Sequence, residues 1–274
     1  MSVARESGFA DRGDYRGPKR VCEMKTGGAH KKNGKMELMQ NSVPARWRAQ
    51  RVEAVAVKLP FRDRSEAGRL LGIELAACEP ATNVIIVALD RGGVPVGAEV
   101  AERLNAPLDI LVVRKLGVPW QPELAMGAIA GGVRVLDRRI IRDFDISREE
   151  VAVVVAREAL EIERRETIYR NGRPAFDLGG RAVVLVDDGL ATGSTMVAAA
   201  RHVRSFHPQK LIVAVPVGSS EACSRLSKEA DNCVCLALPA SFLAVSQWYA
   251  DFRQVTDAEV QELLKRRHAL FESA

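Results

Sequence analysis

No stretch of this sequence stays apolar for long. No uninterrupted aliphatic run is longer than Val84 to Leu89, far short of the roughly 20 residues that a membrane-crossing helix needs, so no bilayer span is expected. No CxxC pair occurs, and the five cysteines, Cys22, Cys78, Cys223, Cys233 and Cys235, are odd in number. Neither a disulfide framework nor a zinc ribbon is indicated, and a reducing cytoplasm is the expected setting. Cys233 and Cys235 alternate within Asn232-Cys-Val-Cys-Leu-Ala-Leu238 and read as two small apolar residues on one face of a strand. The motif GxxxxGK[ST] is also missing, which sets aside a P-loop nucleotide hydrolase.

Residues 1 to 50 lack a sustained hydrophobic period and the apolar centre of a secretory signal. They read as a disordered basic tail, followed by one folded domain over residues 51 to 274. A start codon placed too far upstream is the competing explanation of the tail. The net charge of +5 is concentrated here: residues 1 to 58 carry 13 Lys and Arg against 6 Asp and Glu, leaving 27 against 29 in the rest. A near-neutral remainder gives little reason to expect a nucleic-acid partner for the folded domain.

From Val52 onward regular elements appear. Asp63-Arg-Ser-Glu66 reads as a capping box ahead of Ala67, Leu70, Leu71, Leu75 and Cys78 at helical spacing. A strand at Asn83 to Leu89, the breaker Asp90-Arg-Gly-Gly-Val-Pro95, and a helix from Val96 to Leu104 follow. Leu108 to Arg114 reads as the next strand, and Leu116 to Glu123, rich in Gly and Pro, as an irregular mobile loop. Leu124 to Ala130 and Val133 to Leu136 form a hairpin turning at Gly131-Gly132. Ser147-Arg-Glu-Glu150 caps a helix with an apolar stripe at Val151, Val154, Val155, Ala159 and Ile162, whose other face, with Glu158, Glu161, Arg164 and Arg165, reads as solvated. Strands at Ala182 to Asp187, Lys210 to Val215 and Asn232 to Leu236 alternate with helices, and Thr256 with Glu259 caps a last one. The alternation predicts an α/β fold, a mostly parallel sheet with helices on both faces.

The chemistry concentrates in Arg181-Ala-Val-Val-Leu-Val-Asp-Asp-Gly-Leu-Ala-Thr-Gly-Ser-Thr195. A buried strand ends in two acids, and a small-residue loop then opens a helix, whose N-terminus offers unpaired N–H groups and partial positive charge to an anion. Gly193 permits close backbone approach, and Thr192, Ser194 and Thr195 add hydroxyl donors. Asp187 and Asp188 would repel phosphate but accept from sugar hydroxyls, so the string suits a phosphorylated ribose held at both ends.

Val183 to Thr195 resembles the diphosphoribosyl-binding signature of type I phosphoribosyltransferases, with Gly189-Leu190 in place of the more usual β-branched pair. Leu89-Asp-Arg-Gly-Gly-Val-Pro95 is similar to the family's diphosphate-binding loop, and Arg114-Lys115 with the stretch to Glu123 sits where the family places a flexible catalytic loop. Phe61-Arg-Asp-Arg64, Pro122-Glu-Leu-Ala-Met-Gly127 and Trp248-Tyr-Ala-Asp-Phe252 extend the likeness over roughly residues 60 to 255.

The resemblance implies a parallel core with a small hood and a flexible loop. It also implies transfer of phosphoribose from 5-phosphoribosyl-1-diphosphate to a nitrogenous, purine- or pyrimidine-like acceptor, with release of diphosphate. Asp187 and Asp188 would contact the ribose hydroxyls, and Ala191, Thr192, Gly193, Ser194 and Thr195 would wrap the 5-phosphate. Arg91, Gly92 and Gly93, with Arg114 and Lys115 on the lid, would meet the diphosphate; Lys115, Asp187 and Asp188 are the catalytic candidates. Mg²⁺ would be held mainly through substrate, with no dedicated metal ligand in the protein. The diphosphate-binding loop of this family often carries a non-proline cis peptide. A homodimer is expected from the family alone. Phe242, Trp248 and Tyr249 read as base-stacking or hood residues, or equally as packing of the last segment. A non-catalytic regulator that binds phosphoribosyl diphosphate and acts on nucleic acid remains the alternative.

Overall fold

A computed structural model describes residues 57–78 and 82–271; the expected tail at residues 1–50 lies outside them. The elements run α1 (Arg64–Cys78), β1 (Val84–Leu89), α2 (Gly93–Leu104), β2 (Leu108–Leu111), β3 (Val113–Val118), β4 (Gln121–Ala130), β5 (Val133–Leu136), α3 (Arg138–Asp143) and α4 (Arg148–Arg170). They continue with β6 (Ala182–Val186), α5 (Ser194–Arg204), β7 (Lys210–Val217), α6 (Ser220–Leu226), β8 (Asn232–Ala237), a 3₁₀ turn (Val245–Trp248) and α7 (Asp257–His268).

Five strands make one parallel sheet in the order β2-β1-β6-β7-β8. Its strands are aliphatic on both faces because both faces are covered, as parallel sheets require. Ile86, Ala88, Ile110, Val184, Val186 and Ile212 share one cluster with α1, α2, α4 and α7. The alternate residues Ile85, Val87, Leu89, Val183, Leu185 and Val213 share the other with α5 and α6. The period of two along each strand thus assigns every side chain to a layer. Among the described residues no helix is long and apolar enough to cross a membrane.

The strand order contains a reversal. From β1 the chain passes through α2 to β2 on one side, whereas from β6 it passes through α5 to β7 on the other. The carboxyl ends of the neighbours β1 and β6 therefore flank a crevice from which the two connections diverge, where open α/β sheets take their ligands.

Several elements differ from expectation. The strand expected at Leu108 to Arg114 is two strands, since β2 ends at Leu111 and Val113 opens a separate antiparallel sheet in the order β3-β4-β5. Asp90 effects the change of sheet: its N–H donates to the Leu111 carbonyl, and its Oδ1 accepts from the Val113 N–H at 2.9 Å. The stretch expected to be an irregular loop, Leu116 to Glu123, is mostly the end of β3 and the start of β4. Glycine and proline are accommodated at a register shift, where a Cβ on Gly117 would collide with the Pro122 backbone. Helix α2 begins at Gly93 rather than Val96. The box expected at Asp63 is displaced by one residue on its return bond: Asp63 accepts from the Glu66 N–H, but Glu66 reaches back to the Arg62 N–H. The boxes at Ser147–Glu150 and Thr256–Glu259 are complete.

Candidate active site

Two loops meet at the crevice, each ending a strand and opening a helix. Asp90-Arg91-Gly92-Gly93 leads from β1 into α2, and Asp187 to Gly193 leads from β6 into α5. Neither helix has a side-chain cap hydrogen bond at its N-terminus, so first-turn N–H groups of both remain uncapped by side chains beside the same sheet edge. This is an arrangement for anions. The Asp90–Arg91 peptide is cis, as the resemblance implied for this loop.

The two loops touch. A Cβ on Gly92 would overlap the Asp188 carboxylate, and one on Gly93 would lie 2.6 Å from the Val186 carbonyl oxygen and 3.0 Å from Asp187 Cα. Any side chain here would push the loops apart, which is the physical reason for the glycine pair. Gly193 has φ of 74°, in the left-handed region where glycine is at ease, and turns the chain into α5. The loop before it is anchored from behind: the Ser219 hydroxyl donates to the Ala191 carbonyl at 2.7 Å, and Arg225 donates to the Thr192 carbonyl at 3.1 Å. Ala191 and Thr192 are exposed, while Ser194 and Thr195 are half-buried.

The two acids differ in their surroundings. Asp188 is buried, and its Oδ2 accepts from Arg64 Nε at 2.9 Å and Nη2 at 2.8 Å. Arg64 is itself held by the Arg253 carbonyl and lies over the Phe252 ring, 3.9 Å from guanidinium carbon to ring centroid. The Tyr249 hydroxyl donates to the Asp188 carbonyl at 2.6 Å. Asp187, half-buried, accepts from the Asp188 N–H at 2.8 Å through Oδ1. Burial, reinforced by the neighbouring Asp188 charge, pushes the Asp187 carboxyl well above the ordinary carboxylate range. Burial also raises Asp188, and Arg64 opposes it.

The cationic candidates are placed apart from one another. Arg91 approaches Asp257 at the start of α7, 3.4 Å away, where Tyr169 also donates to Asp257 at 2.8 Å. Arg114 is tied to Glu158 of α4 at 2.8 Å. Lys115 is exposed and pairs loosely with Glu123, at 3.1 Å to its carbonyl and 3.4 Å to its carboxylate. The face of α4 expected to be solvated is so at Arg164, but Glu158 and Arg165 are bonded inward. Glu158 is only 6% exposed and pairs with Arg114, and Arg165 binds Asp90, whose side chain is 1% exposed, at 2.7 Å. Those charges turn inward because the Asp90 loop and β3 lie against them.

Arg64, Asp90 and Arg165 were missed as site residues. Arg64 and Asp90 stand inside the motifs Phe61-Arg-Asp-Arg64 and Leu89-Asp-Arg-Gly-Gly-Val-Pro95, but spacing gives no sign of a partner 124 or 75 residues away. Of the three aromatics, Tyr249 is 5% exposed and packs on Phe61, while Phe242 and Trp248 join the same small cluster. Among the described residues no group of three His, Cys, Asp or Glu could hold a metal ion.

Comparison with known proteins matches residues 113–253 to the phosphoribosyl transferase domain family. A Mycobacterium tuberculosis protein named as a putative phosphoribosyl transferase is 46% identical over 215 residues, 78% of this chain and 48% of that protein. The chain thus spans about half the length of that relative. The adenine phosphoribosyltransferase of Rhodococcus opacus is 30% identical over 158 residues, covering 57% of this chain and 68% of that one. A Thermus thermophilus protein of known crystal structure superposes with a TM-score of 0.65 at 41% identity, over 76% of this chain and 99% of that one.

Proposed function

The chain belongs to the phosphoribosyl transferase domain family, and on that premise we propose that it transfers phosphoribose from 5-phosphoribosyl-1-diphosphate to a nitrogenous base, releasing diphosphate. The observation that carries this reading is the meeting of the Gly92-Gly93 loop with the Asp187-Asp188 pair at the β1/β6 crevice. It sets two uncapped helix N-termini beside two acids, as a sugar bearing phosphate at one end and diphosphate at the other requires. In this reading the Ala191 to Thr195 loop takes the 5-phosphate, with its N–H groups and hydroxyls as donors. Asp187 accepts from ribose hydroxyls, and Asp188, held by Arg64, fixes the loop that carries it. The Gly92-Gly93 turn receives the diphosphate.

Displacement at the anomeric carbon leaves positive charge on the sugar and negative charge on the leaving diphosphate. Positioning and charge neutralisation then supply most of the acceleration. Lys115, exposed on the hairpin and loosely paired, can exchange Glu123 for the leaving group at little cost. Mg²⁺ would be held through substrate oxygens and water, with Asp187, the acid of the pair not engaged by Arg64, as the carboxylate available to it. When bound it would neutralise the diphosphate. A purine- or pyrimidine-like base is the proposed acceptor, the Rhodococcus opacus relative favouring a purine. A cytoplasmic setting and a homodimer complete the reading.

The test is calorimetric titration of the protein with phosphoribosyl diphosphate and Mg²⁺, beside the Asp187→Asn variant, followed by diphosphate release with a panel of bases. Saturable binding weakened at least tenfold in a variant of unchanged thermal midpoint supports the site. Equal affinity in the two proteins would remove Asp187 from it, and no binding to either would overturn the reading.

A further inference from the structure

Three of the cysteines, on two successive elements of the chain, come together directly behind the phosphate loop. Cys223 lies in α6 and Cys233 and Cys235 lie two residues apart on the edge strand β8, so that one strand face presents both sulfurs to the helix. Cys223 is 4% exposed, the other two half-buried, and all three are thiols. The Cys223 and Cys235 sulfurs lie 3.1 and 3.4 Å from the point a Cβ on Gly218 would occupy. The neighbouring Cys233 and Cys235 thiols hold the Cys223 pKa down to about 4, while contact with Cys223 and burial push Cys235 up, its own thiol donating to the Ala237 carbonyl at 3.2 Å.

From this juxtaposition we infer that Cys223 and Cys235 form a redox-active pair that a hydroperoxide oxidises to an intramolecular disulfide. Cys223 gives up its thiol proton as its sulfur attacks the terminal peroxide oxygen; the O–O bond breaks, Cys223 becomes a sulfenic acid, and that proton leaves with the alkoxide as an alcohol, or with hydroxide as water in the case of hydrogen peroxide. The Cys235 sulfur then displaces hydroxide from that sulfenic sulfur, its own proton joining the hydroxide as water, and the S–S bond forms. Two thiols and one hydroperoxide yield one disulfide, one water and one alcohol. Cys233 and Cys235 cannot bridge each other readily, since residues i and i+2 of an extended strand have Cα atoms nearly 7 Å apart, at the limit of disulfide geometry.

The pair is coupled to the loop through one turn of helix. Ser219 caps α6 and its hydroxyl and N–H bond the Ala191 and Leu190 carbonyls; Cys223 is four residues on, its N–H donating to the Ser219 carbonyl; and Arg225 holds the Thr192 carbonyl. A disulfide needs its sulfurs about 2 Å apart, so closing the bond draws α6 toward β8 and moves Ser219 and Arg225 together. Oxidation therefore loosens the loop that binds the 5-phosphate, a coupling that rests on the function proposed above. The sequence left these cysteines as an odd set without a disulfide pattern, because their pairing is made by the sheet and not by their spacing.

The full chain, reduced and then exposed to a few equivalents of hydrogen peroxide, is alkylated and mapped by mass spectrometry, and titrated with phosphoribosyl diphosphate and Mg²⁺ in both states. The expected result is a Cys223–Cys235 cross-link reversed by dithiothreitol, retained in Cys233→Ser and lost in Cys235→Ser. Binding should weaken at least tenfold on oxidation, and Cys235→Ser should bind like the reduced protein before and after peroxide. Alkylation of all three thiols after peroxide, or Cys223 carried on to sulfinic acid without a cross-link, overturns the pair. A cross-link with unchanged binding overturns the coupling. A cross-link in a protein that binds no phosphoribosyl diphosphate in either state overturns the proposed function and leaves the redox pair standing.

Discussion

Arg64→Met is the substitution that most directly tests how the acid pair is held. Both partners of the Arg64–Asp188 ion pair are nearly buried, with side chains 11% and 13% exposed, and methionine keeps much of the contact with Phe252 while removing the charge. Breaking a buried pair from one side costs about 3–5 kcal/mol, because the remaining charge is left without a partner. The low end applies, since Asp188 can answer by taking up a proton. For a folded region of about 200 residues, about 3 kcal/mol lowers the thermal midpoint by roughly 6–12 °C. The sign of the pH dependence follows from Asp188, whose native pKa is already raised by burial and opposed by Arg64. A carboxyl with a raised native pKa binds more protons folded than unfolded, so its contribution is most favourable in acid and is lost as pH rises through the native value. Removing Arg64 raises that value further, so the loss should be largest at pH 7 and above and should shrink as pH falls toward the ordinary carboxylate value near 3.9, about where the unfolded chain titrates. Urea melts of wild type, Arg64→Met, Asp188→Asn and the double variant between pH 5 and 8 provide the assay. The double variant should lose less than the sum of the singles by about 2 kcal/mol. Additive losses, or an Arg64→Met protein within 0.5 kcal/mol of wild type, would refute the argument.

Other consequences are open to equally direct measurement. Gly92→Ala should reduce phosphoribosyl diphosphate affinity by a factor of ten or more, because its methyl group displaces the Asp188 carboxylate; calorimetry showing wild-type affinity would mean the loops are free to separate. Gly193→Ala should cost about 1–2 kcal/mol in urea melts, the expense of a left-handed backbone for an L-residue. Asp187, with its raised pKa, should release protons when a substrate-held Mg²⁺ arrives, so affinity rises with pH up to that pKa and is level above it. Titration in buffers of different ionisation enthalpy should reveal the release, and identical heats would count against it. Lys115→Ala should lower kcat more than it weakens ground-state binding, and equal losses would argue for binding alone.

The sheet, its direction and the strand-turn-helix around Asp187 to Gly193 were legible because each depends on neighbours in sequence. Aliphatic runs such as Val84–Leu89 announce buried strands, and the string from Arg181 to Thr195 carries strand, acids, turn glycine and helix start within fifteen residues. What escaped was whatever depends on the return of a distant segment. Arg64 meets Asp188 only because the segment before α1 pairs with the one after the 3₁₀ turn, through the Phe61–Tyr249 bridge. Glu158 and Arg165 looked solvated because a helical stripe reports only which face is most apolar, not whether a second layer carries a complementary charge. The β3–β4 hairpin was hidden because Gly117 and Pro122 are breakers one at a time, and only their apposition at a bulge makes them compatible with a sheet.

Helix α4 gives that second layer a purpose. Glu158 holds Arg114 of β3, and Arg165, two turns or about 10 Å farther along the same helix, holds Asp90 at the end of β1. One rigid element therefore spaces the hairpin from the Asp90–Gly93 loop, while Asp90 joins the two directly through the Val113 N–H. Because side chains alternate along a strand, a strand that commits Arg114 to α4 must turn Lys115 to the opposite face. The adjacent cations Arg114 and Lys115 thus divide their work by pleat alone. Arg114 fixes the strand against α4, and Lys115, held among the described residues by the exposed Glu123, is the one left able to exchange its partner.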